Sequence, residues 1–312
     1  MGDFRSGSFH VRYQNGESLM STLCLKEMVR FLCPVLLGVC MIGPSPCRAD
    51  QPGLPNPFFV FDNGLRGVDD PTTVLCRLDY AGMGASGFQV APLVRQYQEA
   101  GLKVFSTYVG CNLDKTPAYD PQMSRMMDEL QGTDVVVWLT VIGGRYGQED
   151  DRAAEIVGEI AEMAAARKLP VALYPHSGFY VATTADALRL ARRVDRPNLG
   201  VSINLCHELM TDQGSKLDET IRQAADLLMM VSINGADAKQ PGLGWDRLIQ
   251  PLGHGDFDVA DFLRKIRQTG YEGPIGLQCY AVPGDPIENL QQSMRTWRQY
   301  QVELGEPSTN SP

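Results

Sequence analysis

Short apolar runs alternate with amphipathic stretches along most of this chain. Phe58 to Phe61, Lys103 to Tyr108, Val135 to Val141, Val171 to Tyr174, Leu199 to Ile203, Met229 to Ile233 and Ile275 to Gln278 read as strands, and Ser86 to Val90 supplies a weaker eighth. Their near-continuous apolar character suits strands buried on both faces, as a parallel sheet requires. Helical spacing appears between them. Ala153, Ile156, Val157, Ile160 and Ala164 share one face of Asp150 to Arg167, and Val259, Phe262, Leu263 and Ile266 share one face of Asp258 to Thr269. Ile287, Leu290, Met294 and Trp297 form a stripe over Pro286 to Tyr300. Pro286 suits a first helical turn, and Gly270 suits the position just past a helix end. Eight strands alternating with helices predict an α/β fold, a closed (β/α)8 TIM barrel over residues 50–302.

The two ends of the chain break this pattern. Residues 1–49 read as a leader: Lys26 and Arg30 precede an apolar run, Phe31 to Gly43, that is too short to span a bilayer. Pro44 to Pro46 end the run, and Cys47-Arg48-Ala49 offers small residues at a cleavage site. The polar stretch before this run favours Met20 or Met28 as the start, and a lipoprotein signal through Cys47 is disfavoured by Pro46. The expectation is an exported chain, periplasmic or secreted, with no stable membrane span once the leader is removed. Residues 303–312 have no apolar pattern and read as a disordered tail.

The leader carries five basic and three acidic side chains, so its removal takes the formal charge from −9 to −11. So acidic a chain is a poor partner for a phosphate backbone, and nucleic acid is excluded as the expected ligand. Four cysteines leave with the leader, and Cys76, Cys111, Cys206 and Cys279 remain without CxxC spacing. Cys206 and Cys279, in strand-like runs, read as buried free thiols.

In a barrel of this kind the chemistry lies just past the C-terminal ends of the strands. Those ends read Asp62-Asn63-Gly64, Gln89, Tyr108, Gly143-Gly144-Arg145, Tyr174-Pro175-His176, Asn204 with His207, Asn234 with Asp237, and Gln278. Amides, tyrosine and histidine dominate, and Asp62 and Asp237 are the carboxylates. His176, His207 and His254 are the three histidines after the leader, and all map to this rim. Gly143-Gly144-Arg145 reads as a plain turn, with an anion cradle of backbone N–H groups as the alternative.

Four segments in order carry a family resemblance: VALYPH from Val171, LGVSINLCHEL from Leu199, LGHGDFD from Leu252 and GYEGPIGLQ from Gly270. The chain from Phe58 to Tyr300 resembles the xylose-isomerase-like TIM barrels, the sugar phosphate isomerases and epimerases. That resemblance implies a divalent metal held by carboxylates on the fifth and eighth strands, an Asp on the sixth and a His on the seventh. It also implies two Glu residues that move a proton between sugar carbons. At the matching positions this chain has Tyr174, Gln278, Asn204 and Asn234 (or Ser232), and Gln89 stands where Glu is frequent. Neutral dipoles hold a hard cation far more weakly than carboxylates do, so the expected metal site is substituted.

Two functions follow as expectations. One is an isomerase or epimerase acting on a small sugar or keto-sugar by proton transfer. It would use His207, which keeps its family spacing from Asn204, or His176 as the catalytic base. Tyr174, Asn204, Asn234, Gln278, His254 and Asp237 would bind the small-molecule carbohydrate. The other is a non-catalytic carbohydrate-binding barrel, a pseudoenzyme, because amides both donate to and accept from a polyol. An apurinic endonuclease is disfavoured by the scarcity of histidine and basic surface.

Overall fold

A computed structural model describes residues 54–238 and 242–305. The expected leader over residues 1–49 and most of the expected tail lie outside the described residues. Eight parallel strands close into a barrel in sequence order: β1 (Phe58–Phe61), β2 (Gly82–Ser86), β3 (Lys103–Asn112), β4 (Val136–Ile142), β5 (Val171–Leu173), β6 (Leu199–Asn204), β7 (Leu228–Ile233) and β8 (Ile275–Leu277). β1 pairs with both β2 and β8, which completes the ring. The expected (β/α)8 barrel is the observed fold.

Alternate strand residues go to two different cores, as a period of two demands. Phe58, Val60, Val137, Leu139, Val171, Leu173, Val231 and Ile233 face outward and pack with the apolar stripes of the surrounding helices. Those stripes include the expected faces of Asp150–Ala165 and Val259–Gln268. Phe59, Phe61, Val136, Trp138, Ala172, Tyr174 and Met230 form a second cluster in the barrel lumen. There Phe59 stacks on Phe105 at 4.8 Å and Phe61 on Trp138 at 4.7 Å, and Tyr174 meets Trp138 edge to face at 4.1 Å. Aromatic pairs in such offset or T-shaped arrangements each add about 0.5–1.5 kcal/mol beyond their burial.

The rings need room, and glycine supplies it. A Cβ on Gly84 or Gly276 would strike the Phe61 ring, and one on Gly82 would fall on the Lys103 carbonyl oxygen. This explains why the strand expected over Ser86 to Val90 lies instead at Gly82–Ser86 (GMGAS). Close backbone approach and facing aromatic rings select small residues there, so the strand lacks the β-branched signature that pattern reading relies on. The last helix, Pro286–Gly305, continues three residues past the expected domain edge at 302.

Candidate active site

At the C-terminal end of the lumen the aromatic layer gives way to a ring of neutral polar side chains. Asn63, Tyr174, Asn204, Asn234 and Gln278 follow the lumen-facing positions of their strands by one more step of the alternation. Each is engaged with the protein. Asn204 Nδ2 donates to the Pro175 carbonyl at 2.9 Å, and its Oδ1 accepts from the Ser232 hydroxyl at 3.2 Å. Asn234 Nδ2 donates to the carbonyls of Gly235 and Leu248, which leaves its buried Oδ1 without a partner among the described residues. Gln278 Oε1 accepts from Asn63 Nδ2 and from the backbone N–H groups of Cys279 and Tyr280. Asn204 and Asn234 are 0% exposed, whereas Tyr174, His207 and Gln278 keep 4%, 4% and 7% of their surface.

The fifth and sixth strands bring two imidazoles together above this ring. His176 and His207 lie with ring centroids 4.1 Å apart and planes tilted by 39°, and His176 stacks on Phe179 at 3.9 Å. His207 rides on the short helix Leu205–Met210 that begins where β6 ends. Its Nε2 lies 2.9 Å from the Tyr174 hydroxyl, and its Nδ1 accepts from the Ser177 backbone N–H at 3.3 Å. Trp245 closes against its edge at 5.2 Å. Burial, and secondarily the neighbouring His176, push the His207 pKa well below its ordinary value. His176 is half-buried, and burial lowers its pKa as well. Its Nδ1 pairs with the Ser177 carbonyl at 2.8 Å, which fixes the ring proton on Nδ1 and leaves Nε2 as a lone-pair nitrogen. Among the described residues nothing hydrogen-bonds to that Nε2.

The remaining candidates stand apart from this pair. Asp237 is ion-paired with Arg247, so its charge is already answered within the β7 loop. His254 is exposed in the loop that precedes the helix Val259–Gln268, and no hydrogen bond or ring contact joins it to His176 or His207. At the end of β4, the Gly144 N–H donates to Asp114 and the Arg145 N–H to Glu149, so the chain's own carboxylates occupy the cradle an anion would need. Cys206 is buried and its thiol is pushed up to about 12, which makes it inert, and Cys279 is a half-buried free thiol.

Sequence reading placed Asn63 at a strand end without giving it a role, and it missed Ser202, Trp245 and Glu208. The role of Asn63 was findable, since Phe59, Phe61 and Asn63 alternate into the lumen. Ser202 accepts the Trp138 Nε1–H at 2.8 Å deep in the lumen, and no local motif marks such a contact. Glu208 is buried and accepts from Thr184 N and Oγ1 at 2.6 and 2.8 Å, holding the His207 helix against the helix Thr184–Val194.

The donors at the mouth do not fit a divalent ion. Tyr174, Asn204, Asn234 and Gln278 carry no charge, both His207 nitrogens are taken, and Asp237 is paired. Among the described residues no group of three or more His, Cys, Asp or Glu side chains is placed to hold a metal.

A sequence profile for the family described as xylose isomerase-like TIM barrel matches residues 62–300. Among characterised proteins, a 3-dehydroshikimate dehydratase of Pseudomonas aeruginosa is 30% identical over 185 residues, which cover 56% of this chain and 28% of that protein. The chain thus spans little more than a quarter of the length of that relative. Among solved structures, a xylose isomerase-like TIM barrel/4-hydroxyphenylpyruvate dioxygenase fusion protein superposes with TM-score 0.64 and 21% identity, over 77% of this chain and 42% of that one. The 3-keto-D-glucoside 4-epimerase of E. coli gives TM-score 0.61 and 17% identity, over 78% of this chain and 99% of that one. At such identities the structural likeness speaks for the fold alone.

Proposed function

This chain belongs to the xylose isomerase-like TIM-barrel family, and from that premise we propose that it removes the proton beside the carbonyl of a small polyhydroxylated ketone, with His176 as the base and no divalent ion at the ring. The observation that carries this reading is the state of His176: a neutral imidazole at the barrel mouth, its tautomer set by the Ser177 carbonyl, with a free Nε2 lone pair. A general base needs a nitrogen that can accept. His207, the first choice from its spacing, has both nitrogens engaged inside the protein, so the base role passes to its neighbour. His207 then serves to hold Tyr174 and to pack against His176. Proton removal next to a carbonyl is the opening step shared by keto-sugar isomerisation, epimerisation and dehydration of a β-hydroxyketone. It therefore accommodates both the epimerase and the dehydratase among the similar proteins.

Incubation in D2O with L-ribulose, 3-keto-D-glucose and 3-dehydroshikimate tests it. Deuterium is expected beside the carbonyl of at least one ketone, and His176→Ala should slow that exchange by at least ~10²-fold. Exchange unchanged by His176→Ala would defeat the assignment.

A second reading rests on a different observation: Asn204 and Asn234 have no exposed surface and their amide N–H groups are committed to protein carbonyls. A ring closed on itself suits a barrel that binds carbohydrate without turning it over. Saturable binding of a ketose with no deuterium uptake would favour that alternative.

A further inference from the structure

Each hydrogen in the ring can be assigned to an owner. The Ser177 backbone N–H can only donate, so His207 Nδ1 accepts it, and the proton of this neutral imidazole sits on Nε2. His207 Nε2–H therefore donates to Tyr174 Oη, 2.9 Å away. The phenol oxygen thus receives from His207, and its own hydrogen must point elsewhere. The rings of Tyr108 and Trp138 stand edge-on to Tyr174, and among the described residues no acceptor takes the Tyr174 O–H.

Resting on the proton-transfer reading above, we propose that Tyr174 donates this hydrogen to the carbonyl oxygen of the bound ketone as negative charge develops there, taking over the service that the family resemblance assigns to a metal ion. The C–H bond beside the carbonyl breaks and its proton forms an N–H bond at His176 Nε2. The electron pair becomes the C=C bond of an enolate, and the carbonyl π electrons move to the oxygen under the Tyr174 O–H. The imidazolium then returns the proton to carbon, or to a β-hydroxyl that departs as water. His207 donating to the phenol oxygen makes the phenol O–H a stronger donor, because hydrogen bonds in a chain polarise one another. Burial keeps the phenol protonated through the whole neutral range, so it acts as a donor and not as a base. Tyr174 keeps 4% of its surface, and its ring centroid lies 5.9 Å from that of His176.

Tyr174→Phe keeps the ring and its packing and removes only the hydroxyl. Exchange of the active ketone should fall by about 10²–10³ in kcat, the scale of losing one oxyanion donor, with KM within about twofold. Wild-type exchange in Tyr174→Phe would overturn this role while leaving His176 as the base. Absence of exchange in the wild-type chain would remove the proton-transfer reading and this role with it. A second measurement needs no substrate: nitrogen NMR of 15N-histidine-labelled protein should show His207 protonated on Nε2 and not on Nδ1. The reverse tautomer would commit the Tyr174 O–H to His207 and sink the proposal.

Discussion

His207 shows how position outweighs residue type. The same imidazole that suits a base near neutrality becomes a fixed neutral donor once it is buried between Ser177, Tyr174 and Trp245. This has a consequence for stability. Both His176 and His207 have folded pKa values below the ordinary 6.5, so below that pH the unfolded chain binds more protons than the folded one. Stability should therefore fall as pH drops from about 6.5, and level off only below the folded pKa values. Glu208, whose carboxyl is raised by burial, tilts the other way above its ordinary value, because there the folded state holds the extra proton. Thermal melts from pH 7.5 to 5 should show a declining Tm, and the decline should flatten in a His176→Gln, His207→Gln double variant. An equal decline in that variant would place the effect elsewhere. At this scale the sequence disclosed which residues populate the mouth, because strand-end positions follow from the period of two. It did not disclose which nitrogen of His207 carries the proton, since that depends on Ser177 and Tyr174 arriving from the neighbouring strand.

Seven of the eight strands were legible because outward and lumen positions are both apolar, and β2 was not, because its neighbours demand glycine. Gly276→Val on β8 would drive a side chain into the Phe59 and Phe61 rings and should cost at least about 1–3 kcal/mol, read as a lower urea midpoint. An unchanged midpoint would mean that the lumen is less tightly filled than the stacked rings indicate. The helix Leu205–Met210 depends on a different contact. Glu208 ties it to Thr184 through two hydrogen bonds, next to the Thr183–Asp186 capping box that starts the helix Thr184–Val194. Glu208→Ala should cost about 2–3 kcal/mol, whereas Glu208→Gln, which keeps an acceptor oxygen, should recover most of it. Equal losses in both variants would show that the negative charge at that helix N-terminus matters more than the acceptor.

The whole molecule is a familiar scaffold with neutral side chains around its mouth. The barrel order, the outer helices and the match over residues 62–300 make the family plain, and the sequence carried that much in its alternation and its four ordered segments. No helix among the described residues is long and apolar enough to cross a membrane. Where the resemblance leads one to expect anionic ligands around an ion, the structure has amides, a phenol and paired imidazoles held by one another. Fold alone does not set chemistry, so the mouth must be judged by what its groups can do. The most direct measurement is solvent-deuterium exchange into the active ketone by protein treated with EDTA and dialysed free of divalent ions. The account predicts the same rate as untreated protein, with no gain on adding Mn²⁺, Mg²⁺ or Zn²⁺. Loss of exchange on chelation, restored by one of those ions, would contradict it.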